Sequence, residues 1–81
     1  VVAYQELTYE EHSKALREVF GQDTELGYGD LLVRLSSAYS AETGHTYRQT
    51  KLKELLRFLL RKGMIIKEGR GRYRCNSDQH H

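Results

Sequence analysis

Ten lysines and arginines fall between Thr46 and Cys75, against two acids, Glu54 and Glu68. Cations at this density suit a polyanion. They neutralise phosphates and release condensed counterions, and an arginine can also pair bidentately with guanine in a major groove. The candidate contacts form two sets. The first is Tyr47, Arg48, Gln49, Thr50, Lys51, Lys53, Arg57 and Arg61. Within it Tyr47 could stack on a base or sugar, Gln49 could read adenine, and Thr50 could touch a thymine methyl or a phosphate. The second set is Lys67, Arg70, Arg72 and Arg74, clustered within eight residues. Arg70 stands between Gly69 and Gly71, where it could extend into a minor groove or along a phosphate backbone. The same charges also describe a solvated helix face and an edge strand guarded against sheet pairing. Glu54 in mid-face and an outward Phe58 favour that plainer account, although Phe58 could instead mark contact with a partner protein or with helix one.

Other chemistry finds little to work with. Cys75 with His45 or His12 is the one arrangement open to nucleophilic catalysis. Cys75 shares a strand face with Tyr73 and reads as a small core residue, so no enzyme is expected. The four histidines are scattered and the cysteine is single, so there is no zinc spacing, no internal disulfide and no cofactor to expect. A lone thiol suits a reducing compartment, and with no signal-like or membrane-length apolar run the expected location is cytoplasmic. The chain begins at Val1 without a methionine, which suggests a piece of a larger protein. His80 and His81 are assigned no function.

The elements that must position the cations can be read from spacing. Eighty-one residues make one domain with one small core. Residues 1–7 read as a linker or short strand, packing by Val2, Tyr4 and Leu7. Helix one spans 8–21, opened by a Thr8-x-x-Glu11 capping box and carrying Ala15, Leu16, Val19 and Phe20 on one stripe. A short extended piece around Leu26 to Tyr28 could add an edge strand. Helix two spans 29–41, with Asp30 as a plausible cap and Leu31, Leu32, Leu35 and Tyr39 inward; Gly44 serves the turn that follows. Tyr28, Tyr39 and Tyr73 are expected to edge the core with wet hydroxyls.

Helix three spans 46–62. A Thr46-x-x-Gln49 capping box opens it, and Leu52, Leu55, Leu56, Leu59 and Leu60 form its core stripe. Gly63 is expected to end it, with Met64 folding back on Leu59. A hairpin over 64–76 turns at Gly-Arg-Gly, with Tyr73 and Cys75 on one face and Arg72 and Arg74 on the other. The charge follows these boundaries. Residues 1–44 hold three bases against eight acids, net −5, and residues 45–81 hold ten bases against three acids, net +7.

The stretch from Gly27 to Cys75, and above all "LLRKGMIIKEGRGRYR", resembles the winged helix-turn-helix family. A helix ending in Lys-Gly, two or three aliphatics, a polar glycine-rich turn and an aromatic-containing strand is that family's passage into the wing. The resemblance implies a mainly α, three-helix domain with a small β-hairpin wing. It implies binding of nucleic acid, most simply duplex DNA, through helix three and the wing. It also implies a module of a larger protein in replication or transcription regulation, similar to those of plasmids, phages or mobile elements and of primase-helicase-type ATPases. RNA or a single strand stays open as the nucleic acid. The alternative partner is a protein: the acidic first half could face another domain, and helix one or residues 1–7 could form a homodimer.

Overall fold

The structure, a computed structural model, describes residues 2–76; His80, His81 and Asp78 lie outside the described residues. Three helices pack over a small antiparallel sheet. A 3-10 turn at Tyr4–Glu6 precedes α1 (Tyr9–Phe20), β1 (Glu25–Gly27), α2 (Tyr28–Thr43), α3 (Gln49–Lys62), β2 (Ile65–Lys67) and β3 (Arg72–Cys75). The sheet order is β1-β3-β2, so the hairpin's second strand is central and β1 covers its far edge. Glu25, Leu26 and Gly27 stand opposite Arg74, Tyr73 and Arg72, and Lys67 stands opposite Tyr73 from the other side. The short extended piece expected near Leu26 is therefore a true strand, and the hairpin gains the third strand that a two-stranded ribbon needs for stability.

The N-terminus of α1 is the expected capping box, with both reciprocal Thr8–Glu11 bonds formed. Helix two differs at both ends. It starts at Tyr28 with Gly27 as its cap, so Asp30 lies in the first turn rather than capping it, and it runs on to Thr43 before Gly44. The amide of Tyr28 donates to the Gly71 carbonyl at 2.9 Å, which pins the start of α2 to the hairpin and explains the early start. At the end of α3 Gly63 adopts φ 77°, a conformation a side chain would strain. The Met64 amide donates to the Leu59 carbonyl and the Gly63 amide to that of Leu60. These two bonds are the expected Schellman end, and they aim the chain directly into β2.

The core joins Ala15, Leu16, Val19 and Phe20 of α1 to Leu31, Leu32, Leu35 and Tyr39 of α2 and to the leucines of α3. Leu60 is only partly buried and packs on its edge. The N-terminal segment is neither strand nor free linker: Tyr4 and Leu7 are buried while Val2 is exposed. Its amide at Val2 donates to the Thr43 carbonyl.

Two residues in the core differ from expectation. Tyr39 is wholly buried, not wet, because its hydroxyl finds His12 Nδ1 at 2.8 Å. His12, raised from sequence only as a partner for Cys75, is buried beside it and also packs against the Phe58 ring. Burial pushes the His12 imidazole below its ordinary value, and Lys62 acts in the same direction; the Glu11 carboxylate and the Tyr4 backbone oppose them.

Two outcomes follow from this packing. Leu55 is completely buried, so Leu55→Ala should cost about 2–5 kcal/mol, a large share of the ~4–12 kcal/mol a domain of this length holds. Urea unfolding should show the loss as a lowered midpoint. His12 titrates in the folded chain below the unfolded value near 6.5, so the unfolded chain binds more protons as pH falls past that value. Its contribution to stability is complete above that pH and is lost on acidification. A proton NMR titration should place the His12 midpoint below about 6.5, and the urea midpoint should fall as the pH is lowered through the same range.

Candidate nucleic-acid interface

Helix α3 buries Leu52, Leu55, Leu56 and Leu59, and with about 100° per residue the opposite face centres on Thr50, Glu54, Arg57 and Arg61, with Lys53 on its flank. All five are exposed. Lys53, Arg57 and Arg61 recur every four residues, so they rise along one side of the helix at about 6 Å intervals. Of the residues expected on this face, Thr50, Lys51, Glu54, Arg57 and Arg61 are exposed, with Glu54 in the middle and joined to Lys51 at 3.9 Å, whereas Tyr47 and Phe58 are not.

The start of the helix does not hold. Helical structure begins at Gln49, not at Thr46, and the cap is Arg48 with no side-chain capping bond. The Thr46–Gln49 capping box is absent because Tyr47 turns inward. Tyr47 was expected outward as a stacking residue; it is 8% exposed and tilted against Tyr4 with ring centroids 6.3 Å apart. Its hydroxyl lies 3.0 Å from Thr43 Oγ1. Thr43 gives its single hydroxyl proton to the Tyr39 carbonyl at 2.7 Å, so Tyr47 is the donor in the pair. Packing of this ring holds Arg48 extended and delays the helix. Arg48, Gln49, Thr50 and Lys51 remain exposed at its opening.

Phe58 is likewise not an outward residue. It is half-buried, edge-on to Tyr4 at 5.3 Å, near His12 at 5.6 Å, with the Lys62 ammonium 5.5 Å above its ring. Of the contacts its spacing left open, that with helix one is the one observed: the ring packs on the N-terminal segment and α1.

On the hairpin, the three residues Gly69, Arg70 and Gly71 turn the chain between Glu68 and Arg72, whose backbones bond at 2.8 Å. Both glycines have positive φ, and Arg70 at the tip is exposed. Tyr73 is buried, Cys75 is half-buried against the core, and Arg72 is exposed on the other face, as the alternation predicts. The arginines of β3 are not simply solvated. Arg72 Nε lies 2.9 Å from Glu25 Oε1 of β1, and Arg74 Nε donates to Glu68 Oε1. Glu25 stands in register with Arg74 on the same sheet face. The sequence offered no sign of this pairing, because Glu25 lies 47 positions before Arg72 and belongs to the acidic half.

The basic set thus divides. Among the described residues, Lys51, Arg72 and Arg74 are paired with carboxylates, whereas Arg48, Lys53, Arg57, Arg61, Lys67 and Arg70 have no acidic partner. Away from this surface, a groove between α1 and the hairpin is lined by Tyr9, Ser13, Leu16, Arg17, Met64 and Cys75. Burial pushes the Cys75 thiol up, Arg17 pulling weakly the other way, so the sulfur is held as a thiol at neutral pH. No group of three His, Cys, Asp or Glu among the described residues is placed to hold a metal ion, and no helix there is long and apolar enough to cross a membrane.

Comparison of the chain with protein-family models, curated proteins and solved structures found no match.

The inward Tyr47 carries its own test. Tyr47→Phe removes one donor and leaves the ring, so stability should drop by about 0.5–1.5 kcal/mol in urea unfolding. The exposed cations are untouched, so any polyanion affinity should be unchanged; a loss of affinity would put the hydroxyl at the interface instead.

Proposed function

We propose that this chain is a winged helix-turn-helix module that binds nucleic acid, most simply duplex DNA, through the outer face of α3 and the tip of the hairpin. The observation that carries the reading is the set Arg48, Lys53, Arg57, Arg61, Lys67 and Arg70, which has no acidic partner among the described residues. A solvated surface tends to intersperse both signs of charge. Here cations without partners recur along one face of one helix and at the tip of the hairpin it leads into.

The element order supports the family assignment on which the reading rests. A helix, a short strand, two further helices and a hairpin follow one another, with β1 at the extended piece read around Leu26. The inward Tyr47 supports a duplex over a single strand. Single-strand binders stack bases on exposed aromatic rings beside cations, and none of the exposed residues on the outer face of α3 is aromatic. In a duplex complex Arg57 and Arg61 would take phosphates or guanine edges, and Arg70 the minor groove or the adjoining backbone. A role inside a larger replication or regulatory protein belongs to the same proposal.

The experiment is fluorescence-anisotropy titration of a labelled random duplex of about 20 base pairs over a range of salt. Wild type should bind with a steep negative log–log salt slope. Arg70→Ala should flatten that slope by about 0.9, and Arg57→Ala/Arg61→Ala by up to about 1.8, each roughly uniformly across sequences where the contact is to phosphate. Absence of salt-dependent binding at low salt would overturn the reading and leave a protein-interaction module.

A further inference from the structure

The acids that border the basic surface differ in what they touch. Glu54 meets Lys51 at 3.9 Å, near the limit of an ion pair and on its own helix. Glu25 comes from the acidic half of the chain, on a different strand, and is brought 2.9 Å from Arg72 Nε by the β1–β3 register. Both partners remain accessible, the arginine side chain 60% and the carboxylate 38% exposed. A pair in this position adds little to folding, about 0–1 kcal/mol. Its electrostatic consequence is larger for a partner than for the fold. With its charge matched at contact distance, Arg72 presents a dipole rather than a net cation to an approaching phosphate. A phosphate that did reach the guanidinium would also bring its own charge close to the Glu25 carboxylate.

We infer that Glu25 is an electrostatic brake on the proposed nucleic-acid surface, acting through Arg72. It withholds one of the hairpin's arginines from the phosphate backbone. The inference rests on the nucleic-acid reading and specifies its regulation. Glu68 holds Arg74 in the same manner on the same face, but Glu25 is the more informative residue because its strand contributes nothing else to the basic surface. The effect of the brake is to keep sequence-independent affinity low. The unpaired cations of α3 and Arg70 then carry most of the counterion release, and the wing's strand contributes less than its composition implies.

The sign of this effect separates it from a positioning role. If Glu25 served to hold the Arg72 guanidinium ready for a phosphate, its loss would weaken binding. As a brake, its loss strengthens binding. Simple repulsion of phosphate by Glu25 would also strengthen binding, but without any need for Arg72.

The test is a double-mutant cycle of Glu25→Gln and Arg72→Ala, with the same duplex and the same salt series, and thermal melts to confirm that each variant is folded. Glu25→Gln should tighten binding at low salt by about two- to fivefold and steepen the salt slope by about 0.9. Arg72→Ala in the wild-type background should change the slope by much less, and in the Glu25→Gln background it should abolish the gain. Glu25→Ala serves in place of the glutamine variant if the latter does not fold. Unchanged or weaker binding by the Glu25 variants, in a protein that binds the duplex and loses affinity on Arg70→Ala, overturns the brake alone. A gain that persists without Arg72 also overturns it. A wild type without salt-dependent binding removes the nucleic-acid reading and the brake together.

Discussion

The buried hydrogen bond between the Tyr39 hydroxyl and His12 is the point on which the rest of the arrangement turns. It joins α2 to α1 within a largely apolar core, where an unmet polar atom is costly. The imidazole in turn packs against Phe58 of α3, and Phe58 against Tyr4. The Tyr39 carbonyl accepts from Thr43, and Thr43 accepts from Tyr47. One residue thereby ties three helices, the N-terminal segment and the α2–α3 turn. Among the described residues no buried side-chain polar atom is left without a partner, so this network is satisfied throughout and adds direction to a core that leucines alone would leave loosely specified.

The consequence for the exposed surface is indirect but strict. Phe58 and Tyr47 pack inward against that network, while the buried leucine stripe of α3 leaves Lys53, Arg57 and Arg61 exposed to solvent. The Schellman end at Gly63 then sends the chain at once into β2, so the basic helix and the basic hairpin are connected by a rigid corner. The bond from the Tyr28 amide to the Gly71 carbonyl holds the hairpin to the start of α2. Arg70 is exposed at the tip, while the turn that carries it is held at its base by backbone hydrogen bonds. A surface assembled this way suits a partner read mainly by charge and shape.

The acidic and basic halves of the chain are not separate territories in space. The sheet places Glu25 of the first half between the arginines of the second. Asp23 similarly holds Arg34 at 2.9 Å, closing the loop before β1. Segregation along the sequence thus overstates segregation on the surface, and the effective cationic surface is smaller than a count of lysines and arginines implies.

Local pattern alone determined the Thr8–Glu11 box, the leucine stripe of α3, the Gly63 end and the Gly-Arg-Gly turn. Each of these depends on residues within a few positions of one another, where capping geometry, helical period and glycine's access to positive φ act without help from the rest of the fold. The outward placement of Lys53, Arg57 and Arg61 follows from the same period once the leucines are known. Tertiary structure decided the fate of the aromatic residues and of the charge pairs. Tyr47 satisfied an outward helical reading as well as an inward one, and only the neighbouring Tyr4 and Thr43 settled it. Phe58 needed the N-terminal segment and His12 to cover it. Arg72 found its acid across 47 positions of chain, through a strand register that no short-range signal encodes. Side chains whose partners come from distant segments have energies that depend on which segments meet, and that is a property of the whole packed chain.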